Sequence, residues 1–157
     1  MNLNYYIEFI KEKHKGQKRK HGAPYYTHPV AVAQLLRDKG FSDEYIIVAL
    51  FHDLLEDTKT TYNEILTLTN SVIADAVKLL TKEKGYIMEE YIKGIRKNPI
   101  AKMVKLADRI HNLSETHLAS IEFQEKYIKE TKDWYIDLAK DTVFEDDLNE
   151  VLKKLYL

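Results

Sequence analysis

The sequence predicts an all-α bundle of about seven to ten helices, and three observations support this class. Apolar residues recur at three- and four-residue spacing along nearly the whole chain, as expected for helices that bury one face. No segment shows the sustained alternation of apolar and polar residues that is typical of β-strands. Only five glycines and three prolines interrupt the 157 residues. This length and composition predict a single domain over residues 1–157.

Three helices and one loop are predicted in the first part of the chain. An amphipathic helix covers residues 3–15, and the proline-containing stretch HGAPYYTHP follows it as a loop. A second helix begins at about Pro29, where proline suits the first turn, and stops before Gly40. Ser42 followed by two acids is typical of a helix start. We expect this third helix to be central and buried through Leu54, because it is apolar almost all round.

The next helices are marked by their capping residues. Thr61 and Glu64 form the pattern of a capping box that opens a short helix. Asn70, or the serine after it, could cap a helix that runs through Leu80, and Gly85 breaks the helical pattern after it.

Pro99 is expected to begin the helix that carries Asp108. A second capping box is predicted from Thr142 and Glu145. The remaining helices are expected at residues 86–97, 121–140 and 143–155.

Composition excludes several classes of function. The chain has no cysteine, which removes disulfides, thiolate metal sites and thiol catalysis and fits a reducing cytoplasm. The formal charge of −1 argues against a general nucleic-acid binder, although residues 11–20 carry six Lys/Arg against one Glu. No run approaches the length of a membrane span, and the N-terminus lacks the order of a secretory signal.

Four short pieces of the chain carry residues that fit one metal site. They supply two imidazoles and two carboxylates, a ligand set suited to a divalent cation that keeps positions for water and phosphate oxygens. Such a site indicates metal-assisted hydrolysis of a phosphate ester or anhydride. The candidate ligands are His28, His52, Asp53 and Asp108, and two neighbouring acids, Glu56 and Asp57, are candidates for the catalytic groups.

Helical spacing supports this grouping. On a continuous helix, each residue of the pair His52-Asp53 stacks on the acid four positions later, so one buried helix would present two ligands and two acids. Asp108 and Asn112 have the same relation on their own helix. The alternative is a hydrogen-bonded core pair with the acids facing water. Burial of so many ionisable groups favours a cation, because it would be costly without a counter-charge.

The interval between Asp57 and Asp108 contains no histidine, which favours a single ion over a dinuclear site. The hard ligand set favours Mn²⁺, with Fe²⁺, Co²⁺ or Ni²⁺ as alternatives.

Three sequence runs resemble one known family. HKGQKRKHGAPYYTHP at 14–29, ALFHDLLEDT at 49–58 and VKLADRIHN at 104–112 closely resemble the hydrolase domain of RelA/SpoT-type alarmone enzymes, and most closely the small, hydrolase-only members. The resemblance implies an all-helical HD-domain fold. It also implies a Mn²⁺-dependent 3′-pyrophosphohydrolase that acts on a small-molecule partner, guanosine tetra- or pentaphosphate. The chain is too short for the synthetase and regulatory domains of the long enzymes, so synthesis is not expected.

The resemblance also implies roles for individual residues. The four candidate ligands would bind the metal, and the acid pair would orient and activate the attacking water. Arg19 and Lys20 would lie along the base and ribose of the nucleotide, and Asn112 would hydrogen-bond the nucleoside. For Arg19 and Lys20 the alternative is an ordinary solvated helix face. Which acid is the base stays open.

Two residues depart from the family pattern. Ser114 stands where many relatives carry arginine, and Glu115 places an added carboxylate close to a polyanionic ligand, which is unfavourable unless it points away. A phosphohydrolase of the wider HD superfamily is therefore the alternative, with a deoxynucleoside monophosphate or nicotinamide dinucleotide phosphate as substrate. A non-catalytic nucleotide sensor is the third reading. Lys105 and Arg109 are expected to be surface charges or to help neutralise phosphates, and His111 to be a packing or supporting residue.

Overall fold

The computed structural model describes residues 2–155, and within them it contains helices and no β-strand, so the all-α prediction is confirmed. None of the described helices is long and apolar enough to cross a membrane. The helices are α1 (Leu3–Lys13), α2 (Thr27–Asp38), α3 (Asp43–Phe51), α4 (Leu54–Asp57), α5 (Tyr62–Leu68), α6 (Ser71–Leu80), α7 (Met88–Arg96), α8 (Pro99–Glu115), α9 (Ile121–Glu130), α10 (Ile136–Ala139) and α11 (Glu145–Lys154).

Several predicted helix boundaries are confirmed. Thr61 accepts a hydrogen bond from the Glu64 N–H, and the Glu64 carboxylate accepts one from the Thr61 N–H, which completes the capping box of α5. Asn70 caps α6 through the N–H of Ile73. Helix α2 begins at Thr27, two positions before the predicted Pro29. Proline is tolerated throughout the first turn, because the N–H groups of that turn have no intrahelical acceptor.

The predicted continuous helix through Leu54 is wrong. Helix α3 ends at Phe51, and His52 and Asp53 form a turn before the four-residue α4 begins. The His52 N–H bonds to Ala49 O at 3.4 Å, a tightened terminal turn, and Asp53 has φ −101° and ψ −3°. The chain therefore bends at the histidine–aspartate pair and directs both side chains toward the interior of the bundle.

The second capping box is also wrong. Thr142 lies outside the helix, because α11 begins at Glu145 with Phe144 as its cap. The Thr142 hydroxyl accepts from the Phe144 N–H, and the Glu145 carboxylate accepts from the N–H of Asp141 instead of Thr142. Asp141 has φ +65°, a left-handed turn that moves the reciprocal partner one residue back.

The centre of the bundle consists of α2, α3 and α8, which pack against one another. Residues 46–51 of α3 are all buried, as expected from their apolar character on every face. Helix α8 crosses this pair and contributes a buried stripe that ends at Leu113. Three helices from distant parts of the chain thus meet at one place, which positions the site.

A π-helical turn, Thr131–Tyr135, joins α9 to α10 and faces α8. The Arg109 guanidinium lies 4.0 Å from the ring centre of Tyr127 and 3.9 Å from that of Tyr135. It donates to the Glu130 carboxylate at 2.7 Å. Arg109 is 1% exposed, so the expectation of a surface charge is wrong. Its charge is compensated inside the bundle by one carboxylate and two aromatic faces.

The cap of α8 is expected to contribute measurably to stability. Asn98 accepts a hydrogen bond from the Ala101 N–H at 2.9 Å, whereas Ser42, the N-cap residue of α3, makes no side-chain capping bond. We expect Asn98→Ala to lower the free energy of unfolding by about 1 kcal/mol. The matched Ser42→Ala change should cost less than about 0.5 kcal/mol. Urea denaturation of both variants checks this, and equal losses would contradict it.

Candidate active site

Three separate parts of the fold bring the predicted metal ligands together. His28 is the second residue of α2, the pair His52-Asp53 forms the turn after α3, and Asp108 lies in the middle of α8. His28, His52 and Asp108 are buried, and their ligand atoms all lie within 4.8 Å of one another. These three residues could hold a metal ion.

Asp53 completes the cluster. Its Oδ2 lies 3.1 Å from His52 Nε2 and 3.8 Å from His28 Nε2. Asp108 Oδ1 lies 2.8 Å from His28 Nε2 and 3.3 Å from His52 Nε2. Two imidazole nitrogens and two carboxylate oxygens therefore converge on one small volume.

The donor set of His52 fits a cation. Its Nδ1 lies 2.6 Å from the Ala49 carbonyl oxygen, which can only accept, so Nδ1 carries a proton. In its neutral form, the form that binds a cation, the ring directs its Nε2 lone pair at the carboxylates of Asp53 and Asp108. This Nε2 is buried and has no hydrogen-bond partner within residues 2–155. A lone pair facing two carboxylates is repulsive unless a positive charge lies between them.

The titration behaviour of the cluster reflects the same charge pattern. Burial lowers the pKa of His52, but the neighbouring carboxylates of Asp53 and Asp108 outweigh burial and raise that pKa well above its ordinary value, so a proton and a cation compete for Nε2. Burial raises the pKa of Asp53, yet the neighbouring His52 lowers it to about 2. The pKa of Asp108 also lies well below its ordinary value, since Lys105 and the histidines outweigh its burial. Both carboxylates thus stay ionised and favour a cation among them.

The two predicted catalytic acids lie at the edge of this cluster. Asp53, Glu56 and Asp57 also offer oxygens within 4.8 Å of one another. The Tyr25 hydroxyl lies 2.7 Å from Asp53 Oδ2 and 3.3 Å from Asp57 Oδ2, and it donates to these carboxylates. Desolvation, together with Asp53 and Glu56, raises the pKa of Asp57 to about 6. Glu56 accepts from the Lys82 backbone N–H at 2.5 Å, which anchors its carboxylate.

A pocket of about 270 Å³ opens beside the cluster, and we call it the basic pocket. Arg19 donates to Asn112 Oδ1 at 3.1 Å, and Asn112 donates to Asp108 Oδ1 at 3.2 Å, so the pocket joins the metal cluster directly. The Lys20 ammonium lies 3.1 Å from the ring centre of Phe123. All three residues predicted to bind substrate, Arg19, Lys20 and Asn112, line this pocket.

A short loop holds the basic residues over the pocket. Lys18 pairs with Pro24 in an isolated bridge, and the Arg19 N–H bonds to Ala23 O at 2.7 Å. The Gln17 amide donates to the Asp57 carbonyl oxygen at 2.7 Å, which ties the loop to the acid pair. Arg19 and Lys20 thus belong to a structured loop over the site and not to a solvated helix face.

The sequence did not reveal three further contacts. Lys105 is buried and donates to Asp108 Oδ2 at 3.0 Å. It therefore contacts the cluster of candidate ligands and is not a surface charge. His111 Nδ1 lies 2.7 Å from His28 Nδ1, in agreement with its expected supporting role. Glu115 lines the basic pocket and contacts Arg19 at 3.1 Å, so it does not point away. The four-residue spacing from His111 to Glu115 signals only a contact between these two residues, which lie 3.0 Å apart, and not the contact with Arg19.

Comparison with protein families identifies the fold. A family model described as "HD domain" matches residues 7–142. The chain belongs to the HD-domain family. A solved structure of a metazoan ortholog of SpoT has a TM-score of 0.85 and 24% identity over 98% of this chain and 94% of the other. A crystal structure from Listeria monocytogenes EGD-e has a TM-score of 0.67 and 26% identity over 87% of this chain and 99% of the other.

Curated relatives of this HD-domain protein are much longer. A guanosine-3′,5′-bis(diphosphate) 3′-pyrophosphohydrolase of Aquifex aeolicus is 39% identical over 140 residues, which cover 84% of this chain and 20% of the relative. A probable enzyme of the same name from Synechocystis is 36% identical over 83% of this chain and 19% of the relative. A GTP pyrophosphokinase of Streptomyces coelicolor is 33% identical over 80% of this chain and 16% of the relative. The chain thus spans about a fifth of the length of these relatives.

Proposed function

We propose that this HD-domain protein hydrolyses guanosine 3′,5′-bis(diphosphate) and the corresponding pentaphosphate, releasing the 3′ pyrophosphate with the help of one divalent cation, Mn²⁺. The observation that carries the proposal is the buried His52 Nε2, whose lone pair faces the carboxylates of Asp53 and Asp108 beside a basic pocket. The names of the Aquifex and Synechocystis relatives support the choice of substrate.

The cation would be held by the four converging side chains, His28, His52, Asp53 and Asp108. When bound, it supplies a Lewis acid that polarises a phosphoryl oxygen and lowers the pKa of a water molecule. Lys105 balances the charge of Asp108 from the opposite side at 3.0 Å, which keeps this carboxylate ionised and in place.

The acid pair would orient the attacking water and accept its proton. Tyr25 fixes the carboxylate of Asp57, and the Lys82 N–H fixes that of Glu56, so both acids are oriented before substrate arrives. The water oxygen bonds to the phosphorus attached to ribose O3′, the P–O3′ bond breaks, and O3′ takes up a proton. Guanosine 5′-diphosphate and pyrophosphate leave when the tetraphosphate is the substrate.

The basic pocket would hold the nucleoside. The Arg19 guanidinium and the Lys20 ammonium line one wall, where a planar cation suits stacking on a base and contact with phosphate oxygens. Asn112 offers an amide between Arg19 and Asp108, which places a hydrogen-bonding group at the border of the two sites.

The Glu115 carboxylate lies in the wall of the basic pocket and supports a second candidate class of substrate. A carboxylate near phosphates is unfavourable, so a nucleotide with fewer charges, such as a deoxynucleoside monophosphate, is the alternative.

Product analysis distinguishes the two substrates. We expect purified, Mn²⁺-loaded protein to release pyrophosphate from guanosine tetraphosphate, with little orthophosphate from a panel of nucleoside monophosphates. Pyrophosphate and orthophosphate are measured separately over time. Orthophosphate from a monophosphate, without pyrophosphate from the tetraphosphate, would support the alternative. Inactivity toward all of them, with the cation bound, would leave only nucleotide sensing.

A further inference from the structure

We propose that Glu115 is a positioning residue for the metal ligand His28 and that it acts through the ring of His111. The inference rests on the proposed function, because it requires His28 to bind the cation through Nε2.

The first link joins the two histidines. His28 Nε2 faces the cluster, while His28 Nδ1 lies 2.7 Å from His111 Nδ1. Two ring nitrogens at this distance share one proton, so one donates and the other accepts. A neutral imidazole that binds a cation through Nε2 carries its proton on Nδ1. His28 is therefore the donor in this pair, and His111 Nδ1 is the acceptor.

The second link joins His111 to the carboxylate. Because Nδ1 of His111 accepts, its neutral ring carries the proton on Nε2. That nitrogen lies 3.0 Å from Glu115 Oε1, which can only accept. The four-residue spacing on α8 sets this contact, and the rings of His28 and His111 meet edge to edge, with centres 4.9 Å apart and planes inclined by 30°. The Glu115 carboxylate thus fixes the tautomer of His111, and His111 in turn fixes that of His28.

Glu115 is itself held firmly in its ionised form. Its Oε1 also accepts from Arg19 at 3.1 Å, and its Oε2 lies 2.6 Å from His21 Nε2. Its side chain is 23% exposed. From the sequence alone, the Glu115 carboxylate is unfavourable beside a polyanionic ligand. In the structure Arg19, His21 and His111 surround its charge, which explains why it is tolerated there.

Metal-binding histidines usually donate their other N–H to a carboxylate or carbonyl, and loss of that partner weakens metal binding about 10- to 100-fold. Here a second imidazole lies between the ligand and the carboxylate. Removal of Glu115 should let His111 adopt its other tautomer, with the proton on Nδ1 facing His28. The two N–H groups would then oppose each other, and the His28 ring would lose its fixed orientation.

Metal affinity tests the inference without any turnover measurement. Mn²⁺ dissociation constants are measured by electron paramagnetic resonance titration, and thermal denaturation shows that each variant is folded. We expect Glu115→Ala to weaken binding about 10-fold. Glu115→Gln should stay within about 3-fold, because its amide oxygen can replace Oε1 as the acceptor. An exposed glutamate on α9 supplies the control, Glu125→Ala, which should bind as the unaltered protein does.

A second variant isolates the connection. In His111→Asn, the amide oxygen can take the place of Nδ1 and accept from His28, but it cannot reach Glu115. Adding Glu115→Ala to this variant should therefore change the dissociation constant less than about 2-fold, whereas additive losses would contradict a connection through His111.

The tautomers provide a direct readout. In the Zn²⁺-loaded protein, which is diamagnetic, long-range ¹H–¹⁵N spectra should show the proton of His28 on Nδ1 and that of His111 on Nε2. A proton on Nδ1 of His111 would overturn the inference, as would equal weakening by the alanine and glutamine variants or unchanged affinity in both. His28→Ala separates the two proposals. If it loses the ion while Glu115→Ala does not, only the role of Glu115 is wrong; if it binds Mn²⁺ normally, the metal site itself is wrong.

Discussion

Replacing Asp53 with alanine is expected to weaken Mn²⁺ binding by at least about 100-fold and to abolish turnover at ordinary metal concentrations. Asp53 supplies the carboxylate 3.1 Å from His52 Nε2, and its loss leaves the two buried imidazoles with Asp108 alone as the anionic partner. Even residues that only support a ligand account for 10- to 100-fold in affinity, so removing a ligand should exceed this. Equilibrium dialysis with metal analysis measures the effect.

Asp53 also accepts a hydrogen bond from Tyr25, and this contact needs a control. Tyr25→Phe removes the hydroxyl but leaves both carboxylates, so it should retain the ion. An exposed aspartate at the start of α11 provides the surface control, Asp146→Ala, which should bind Mn²⁺ normally. Full Mn²⁺ binding by folded Asp53→Ala would contradict the assignment of Asp53 as a ligand.

Removal of a catalytic acid, unlike removal of a metal ligand, should lower turnover and leave metal binding unchanged. We expect Glu56→Ala to keep the cation and to lower kcat by about 10²- to 10⁴-fold, the range for loss of a general base. Glu56 takes no part in the contacts that join the four proposed ligands to one another, so its loss leaves those contacts intact. Its carboxylate also anchors the Lys82 N–H at 2.5 Å, and Glu56→Gln tests this separately because the amide oxygen still accepts. Steady-state kinetics at saturating Mn²⁺ measures kcat.

Asp57→Asn completes the comparison. The Asp57 carboxylate accepts from the Tyr25 hydroxyl, and its pKa is raised to about 6, which suits a general base near neutral pH. If Asp57 is the base, Asp57→Asn lowers kcat more than Glu56→Gln does; the reverse order assigns the base to Glu56. A Glu56→Ala enzyme with unchanged kcat would contradict the division between ligands and catalytic acids.

Helix boundaries were predictable where a side chain bonds its own backbone. Thr61, Asn70 and Asn98 cap helices through contacts within three residues, so the sequence alone contains both partners. Thr142 shows the limit of this reasoning. Its predicted partner is Glu145, but the left-handed turn at Asp141 redirects that carboxylate, and sequence pattern does not register a backbone turn of this kind.

The bend at His52 and Asp53 was not predictable from spacing. The surrounding residues form an apolar run that reads as one helix, and three- and four-residue spacing is equally satisfied on both sides of a short turn. The two acids nevertheless lie near Asp53, as predicted, because the Asp57 N–H bonds to Asp53 O at 2.9 Å in the helical turn that follows the bend. A single helical turn was enough to keep the acids near the pair.

Contacts between distant segments could not be read from the sequence. Lys105 and Arg109 look like surface charges on α8, yet one is buried against Asp108 and the other lies between a tyrosine of α9 and a tyrosine of the π-helical turn. Each depends on which helices pack against α8, a property of the whole fold. Glu115 is the same case, because its role depends on His28, which precedes it by more than 80 residues.

The central claim is that one cation is held at once by His28, His52, Asp53 and Asp108. Anomalous diffraction from crystals grown with Mn²⁺, recorded at the manganese absorption edge, tests it most directly. The structure predicts one anomalous peak per chain, in contact with ligand atoms of all four side chains. A peak at another place, a second peak of equal height between Asp53 and the acid pair, or no peak at saturating Mn²⁺ would contradict the claim.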